Sequence, residues 1–224
     1  MKLESPLRYD PGLVEGAVFI AIEGHSEAKR FHRERDRIYG IKHPEERERA
    51  FQDLHRAWFL RLGLADQIEK AVSEQPLISS SAKGCLVARA PSKREEGADL
   101  FVNPEEKPSD KERRTVSIFL RAESLLDPSA LRTFLRHELM HIADMLDPGF
   151  GYEPELPPAE GGPTHDRLLK ERYRVLWDAT IDGRMVRRGW ALESLRAERL
   201  REFCSTFPMF GQKSESRFSY FFDQ

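Results

Sequence analysis

His137-Glu138-Leu139-Met140-His141 is the stretch that most constrains this chain, because it sets two imidazoles four residues apart in a segment with helical signals of its own. On an α-helix, positions i and i+4 lie roughly 40° apart around the axis and about 6 Å along it, so both rings address one point. That geometry suits a chelate. Zinc takes neutral imidazole nitrogens at about 2.0–2.1 Å, and a catalytic site uses three protein ligands and leaves a fourth position for water. Glu138 then stands as the natural general base: bound zinc can lower the pKa of its water to about 7, and a carboxylate beside that water can take its proton as the water attacks a carbonyl.

A five-residue HExxH arises by chance in on the order of one chain in fifty of this length, so its surroundings must decide. Arg114-Thr115-Val116-Ser117-Ile118-Phe119-Leu120 alternates with Val116, Ile118 and Leu120 on one face, which predicts a half-buried strand leading into the motif. Asp127 stands where an N-cap belongs and Pro128 at the first helical position. Apolar residues follow at Leu131, Phe134, Leu135, Leu139, Ile142 and Met145, and Asp147-Pro148-Gly149 ends the helix. The alternative is a surface helix that carries two histidines and binds no metal.

A second helix is expected from Thr164 as cap to about Arg187, since Gly161-Gly162-Pro163 precedes it and Gly189 closes the region; Gly183 weakens its last turn. Glu171, Asp178 and Asp182 fall at i, i+7 and i+11, within about 60° of one another, on a helix that also carries Leu169, Tyr173, Leu176, Trp177, Ile181 and Met185. Packed against the first helix, such carboxylates need a cation or hydrogen-bond donors, because burying an unpaired charge is costly. They can instead pair with Arg167, Arg174 or Arg184 on a solvated face.

Strand, HExxH helix, loop and acid-bearing helix together resemble the zincin metallopeptidases, most closely their gluzincin branch, over about residues 114–187. In that branch a later helix supplies a carboxylate as third ligand, often within an ExxxD pattern whose Asp hydrogen-bonds the first motif histidine. The matching residues are Asp178-Ala-Thr-Ile-Asp182, with Asp in place of Glu at the ligand position. The resemblance thus implies zinc on His137, His141 and Asp178, with Asp182 orienting a histidine and Glu138 as base. Other third ligands stay open. His165 begins the second helix, as a ligand histidine does in some HExxH families, and Glu171 lies level with His141 if the helices form a tight hairpin. Asp147 stands ten residues after His137, where the metzincin pattern places its last ligand, although that pattern has Gly where this chain has Asp144.

Residues 148–163 form a long Pro/Gly-rich connection of a kind that is often functional. Its Tyr152 can reach the oxyanion of a transition state, as can Tyr173 or Arg184, or it can simply cover surface.

The remainder bounds the answer. At 224 residues the chain is long enough for a proper core, and 39% hydrophobic with 33% charged residues is globular on the polar side. A formal net charge of −2 gives no electrostatic case for nucleic acid or an acidic membrane. Cys85 and Cys204 stand far apart, so no disulfide framework is expected. The N-terminus lacks the apolar region of a signal peptide, no run approaches a membrane span, and the expectation is a cytosolic protein.

Residues 1–75 are expected to form a helical N-terminal region, with a helix capped by Ser26 and running to about Tyr39. A packing helix opens at Pro44 with Phe51, Leu54, Trp58 and Leu62 on one face. His25, His32, His43 and His55 lack a metal-binding partner at i±4 and are read as structural. Residues 76–224 are expected as the metal-binding domain. Three strands, Gly84–Ala90, Ala98–Asn103 and 114–122, make a small mixed or antiparallel sheet, linked by charged segments 91–97 and 104–113. A last helix after Trp190 reaches about Phe203 with Leu192, Leu195 and Leu200 on its apolar face, and the aromatic tail Phe218–Gln224 docks on the body or on a partner.

The expectation is therefore an α+β, zincin-like fold and a zinc-dependent hydrolase acting on a peptide or protein substrate. The rival is a scaffold or interaction protein with a zincin-like core, metal-binding without turnover. The aromatic tail and helical first third motivate it, and an intact Glu138 speaks against it, since a structural zinc site needs no base.

Overall fold

A computed structural model of the chain describes residues 7–105, 109–154 and 161–224. The start of the N-terminal segment, the middle of the 104–113 link and part of the 148–163 connection lie outside the described residues. The chain divides into two compact units, Met1–Asp147 and Pro148–Gln224. The architecture is mixed α+β, mostly helical, with one small sheet.

The first unit begins with β1 (Leu7–Tyr9), α1 (Pro11–Ile22), α2 (Ala28–Ile38), α3 (Pro44–Arg61), α4 (Asp66–Ser73) and α5 (Pro76–Ser81). It continues with β2 (Gly84–Arg89), β3 (Gly97–Val102), α6 (Asp110–Arg113), β4 (Arg114–Leu120) and α7 (Pro128–Leu146). The sheet order is β1-β2-β4-β3. Of the two sheet types expected, it is the mixed one: β1, β2 and β4 run parallel, and β3 pairs antiparallel with β4. Period-2 alternation on β4 buries Val116, Ile118 and Leu120, while Leu86 of β2 and Phe101 of β3 stay exposed on the other face. A single apolar core joins that inner face to the helices. Leu13 and Val18 of α1, Trp58 and Phe59 of α3, Ile68 of α4, and Leu135, Leu139 and Ile142 of α7 all belong to it. The helices of the first 75 residues and the HExxH helix are thus packed into one body.

In this unit the start of α2 and the presence of a fourth strand differ from the sequence reading. Helix α2 begins at Ala28 with Glu27 at its N-cap position and no side-chain cap, because Ser26 makes no capping bond and the Glu27 carboxylate is taken up by Arg61 of α3. The fourth strand, β1, is only three residues long, too short for alternation to reveal. His55 of α3 lies inside a ring cluster with Phe19, Phe31 and Phe51, a structural position as expected.

The second unit holds α8 (Gly162–Arg187), α9 (Leu195–Thr206) and α10 (Ser214–Phe222). Helix α8 starts two residues before Thr164, with Pro163 in its first turn, where the missing N–H costs nothing. It runs unbroken through Gly183, which is there for contact rather than for termination: a Cβ at that position would stand 1.8 Å from the carbonyl oxygen of Phe222 in α10. Arg187 donates to the carbonyls of Phe222 and Gln224 and ties the chain end to the same turn. Helix α9 starts at Leu195, later than expected, and Leu192 is left 79% exposed instead of packing. Phe203 and Phe207, together with Phe218 and Phe222 of α10, pack against Val175 and Ala179 of α8. The aromatic tail is a core contribution to this unit. Among the described residues no helix is long and apolar enough to cross a membrane.

Candidate metal centre

Helix α7 is fixed at its start and along its length before any site chemistry enters. The Asp127 carboxylate accepts from the backbone N–H groups of Ser129 and Ala130, and Pro128 occupies the first turn. Leu131, Leu135, Leu139, Ile142 and Leu146 bury one stripe in the core. One position away, Arg136 grips Glu74 at the end of α4 through a two-pronged pair, Nε to Oε2 at 2.7 Å and Nη2 to Oε1 at 2.6 Å.

That anchoring leaves His137, Glu138 and His141 on the partly exposed side. The Nε2 atoms of His137 and His141 lie 3.2 Å apart, with ring centroids 4.9 Å apart and planes at 66°. Two nitrogens held at about 2.05 Å from one ion with that separation subtend about 103°, close to the tetrahedral angle of about 109° that zinc favours. The pair therefore fits a shared metal as it stands.

Glu138 faces the sheet. Its Oε2 accepts from the backbone N–H of Ala98 at 3.1 Å. In antiparallel pairing, backbone groups point alternately to the partner strand and away from it. Asn103 N–H turns inward to Arg113, whereas Ala98 N–H turns outward to Glu138, so Leu100 and Val102 also direct their backbone groups to the open edge. That edge of β3 carries no further strand among the described residues.

Asp178 and Asp182 lie one turn apart on α8 and are buried, 6% and 2% exposed. Asp178 Oδ2 accepts from Arg174 Nη1 at 2.9 Å, one of the three arginines the sequence offered as partners. Asp182 Oδ2 accepts from Arg199 Nε of α9, a residue the sequence did not single out. Glu202 of α9 joins the two arginines: its Oε1 accepts from Arg174 Nη2 at 3.4 Å and its Oε2 from Arg199 Nη1 at 2.6 Å. The other ligands weighed from sequence are placed less well for the purpose. His165 and Glu171 are exposed on the first half of α8, and exposed Asp147 is the C-cap of α7. Tyr152 and Tyr173 pack around the Trp177 ring with centroids 5.6 and 5.7 Å away, and Arg184 Nε donates to the Thr180 carbonyl at 3.4 Å.

Two features escaped the sequence reading. The partner of Glu138 is a backbone group, which no side-chain pattern can announce. Arg199 and Glu202 sit 17 and 24 residues beyond the acids they organise, on a helix whose expected start was misplaced. Comparison of the chain with family models, with curated proteins and with solved structures gives no match.

Proposed function

We propose that this chain is a zinc-dependent hydrolase, a zincin-like metallopeptidase, in which His137, His141 and Asp178 hold the metal and Glu138 is the general base. The observation that carries the reading is the 3.2 Å convergence of the two Nε2 atoms, with a carboxylate between them in sequence whose orientation is set by a strand edge. Bound zinc would supply Lewis acidity at the scissile carbonyl and acidify water. The chain's own groups account for the rest. Glu138 takes the proton from attacking water and passes it to the leaving nitrogen, so that the peptide C–N bond breaks as a C–O bond forms. The Ala98 N–H keeps the carboxylate oriented while it does so. An extended peptide can add to the open edge of β3 through Leu100 and Val102, a mode that fixes the backbone and reads little of the sequence. Asp182 stands one turn beyond Asp178, in the second position of the ExxxD pattern.

The test is hydrolysis of a mixture of unfolded proteins by the zinc-loaded chain, beside Glu138→Gln. Removing a general base costs roughly 10²–10⁴-fold, so the reading expects peptide products from the parent and almost none from the variant, with equal zinc in both. Equal turnover by both proteins would defeat it.

A further inference from the structure

Asp178 and Asp182 are nearly buried on one face of α8, and like charges at i and i+4 repel, so both carboxylates need donors that hold them in place. Arg174 bonds Asp178 through a side chain that is 58% exposed, and so long and mobile a side chain must itself be ordered before it can orient its partner. The order comes from α9. Arg199 and Glu202 stand three residues apart there, and their pairing spans the one-turn separation of the two aspartates on α8. The result is an unbroken run of charge-assisted bonds, Asp182 to Arg199 to Glu202 to Arg174 to Asp178, that starts and ends on the same helix. Arg199, only 24% exposed, bonds through Nε to one acid and Nη1 to the other, a planar fork that a lysine cannot reproduce.

We propose that Arg199 is a positioning residue for metal binding, acting through Glu202 and Arg174 to fix the orientation of the Asp178 carboxylate. This rests on the reading of Asp178 as a ligand. The Arg174 bond to Oδ2 would set the orientation in which the Asp178 carboxylate helps to hold the ion. Outer contacts of this sort on metal ligands change affinity by about 10–100-fold when removed.

The test uses the full chain and zinc itself, with affinity read by competition against a chromophoric chelator and folding by thermal melting. Asp178→Asn, Arg199→Met, Arg199→Lys and Glu202→Gln are compared with the parent, and the visible spectrum of each cobalt(II)-loaded protein reports ligand geometry. The expected result is a loss beyond about 100-fold for Asp178→Asn and about 10–100-fold weakening for Arg199→Met and Glu202→Gln. The cobalt spectrum of those two variants shifts at saturation, and Arg199→Lys restores part of the affinity. Parent-like affinity and spectra in Arg199→Met and Glu202→Gln, with zinc still lost in Asp178→Asn, would overturn the positioning role and leave the ligand reading standing. Parent-like affinity in Asp178→Asn would remove both. Should Arg199→Met melt far below the parent, the more exposed and isosteric Glu202→Gln decides.

Discussion

Glu138 and Ala98 are joined across forty residues of sequence by a single hydrogen bond, backbone N–H to carboxylate oxygen at 3.1 Å. It couples the HExxH helix to the edge strand at the residue proposed as general base. A Cβ at Gly97 would stand 3.4 Å from Glu138 Oε2, in ordinary van der Waals contact, so anything larger would press on the carboxylate.

A bulkier residue at position 97 therefore moves the Glu138 carboxylate without touching the residues proposed as ligands. Gly97→Val adds two methyl groups beyond a contact that is already full. A misplacement of about 1 Å at a reacting group costs on the order of 10²-fold, so the proposed function predicts that peptide turnover falls about 10–100-fold while zinc content and melting temperature stay near the parent's. Steady-state kinetics with parallel metal analysis checks this.

The Glu74–Arg136 pair should make stability acid-sensitive. The hydrogen bonds from Arg136 hold the Glu74 carboxyl below its ordinary value of 4.5. A carboxyl with a depressed folded-state pKa stabilises the fold above its unfolded value, and that contribution is lost as pH falls through the folded value. Glu74→Gln should cost about 1–3 kcal/mol near neutrality and flatten the decline of urea-unfolding stability below about pH 4.5.

His55 should contribute a second decline at milder pH. Burial pushes its imidazole below the ordinary 6.5, against the opposing pull of Glu15 and Glu48 and with a smaller push from Arg35. The neutral ring is the folded form, so the stabilisation is complete above pH 6.5 and is lost as pH falls through the lower folded value. His55→Leu should remove that part of the pH dependence, which melting temperatures between about pH 7 and pH 5 would report.

Gly183 should prove intolerant of any side chain. Ala is the better helix former by about 1 kcal/mol, yet its Cβ would collide with the Phe222 carbonyl at 1.8 Å. Overpacking of this kind costs about 1–3 kcal/mol. Gly183→Ala should lower stability and speed proteolysis at the α10 end, whereas parent-like melting would show that α10 is not seated there.

The elements that position the histidines were readable because local signals agreed: alternation on β4, the Asp127 cap and Pro128, and an apolar stripe along α7. Helix α8 was readable for the same reason, although Gly183 argued for fraying; only the close approach of α10 explains it, and that is a long-range fact. Three-residue β1 left no periodic trace. The start of α9 was misplaced because Leu192 fits an apolar stripe but finds no neighbour to pack against. Residue types and spacing singled out His137, Glu138 and His141 as candidates, and helix α7 presents all three on its partly exposed side. The partners that set the acids could not be read, because Arg199 meets Asp182 through the packing of α9 on α8, a choice made by Phe203 and Phe207 rather than by charge.

Metal content tests the central claim most directly. Protein purified without added metal should carry about one zinc per chain by elemental analysis, and a His137→Ala/His141→Ala double variant that melts like the parent should carry none. Parent protein that holds no metal even after zinc is offered, or a double variant that holds as much as the parent, would contradict the account.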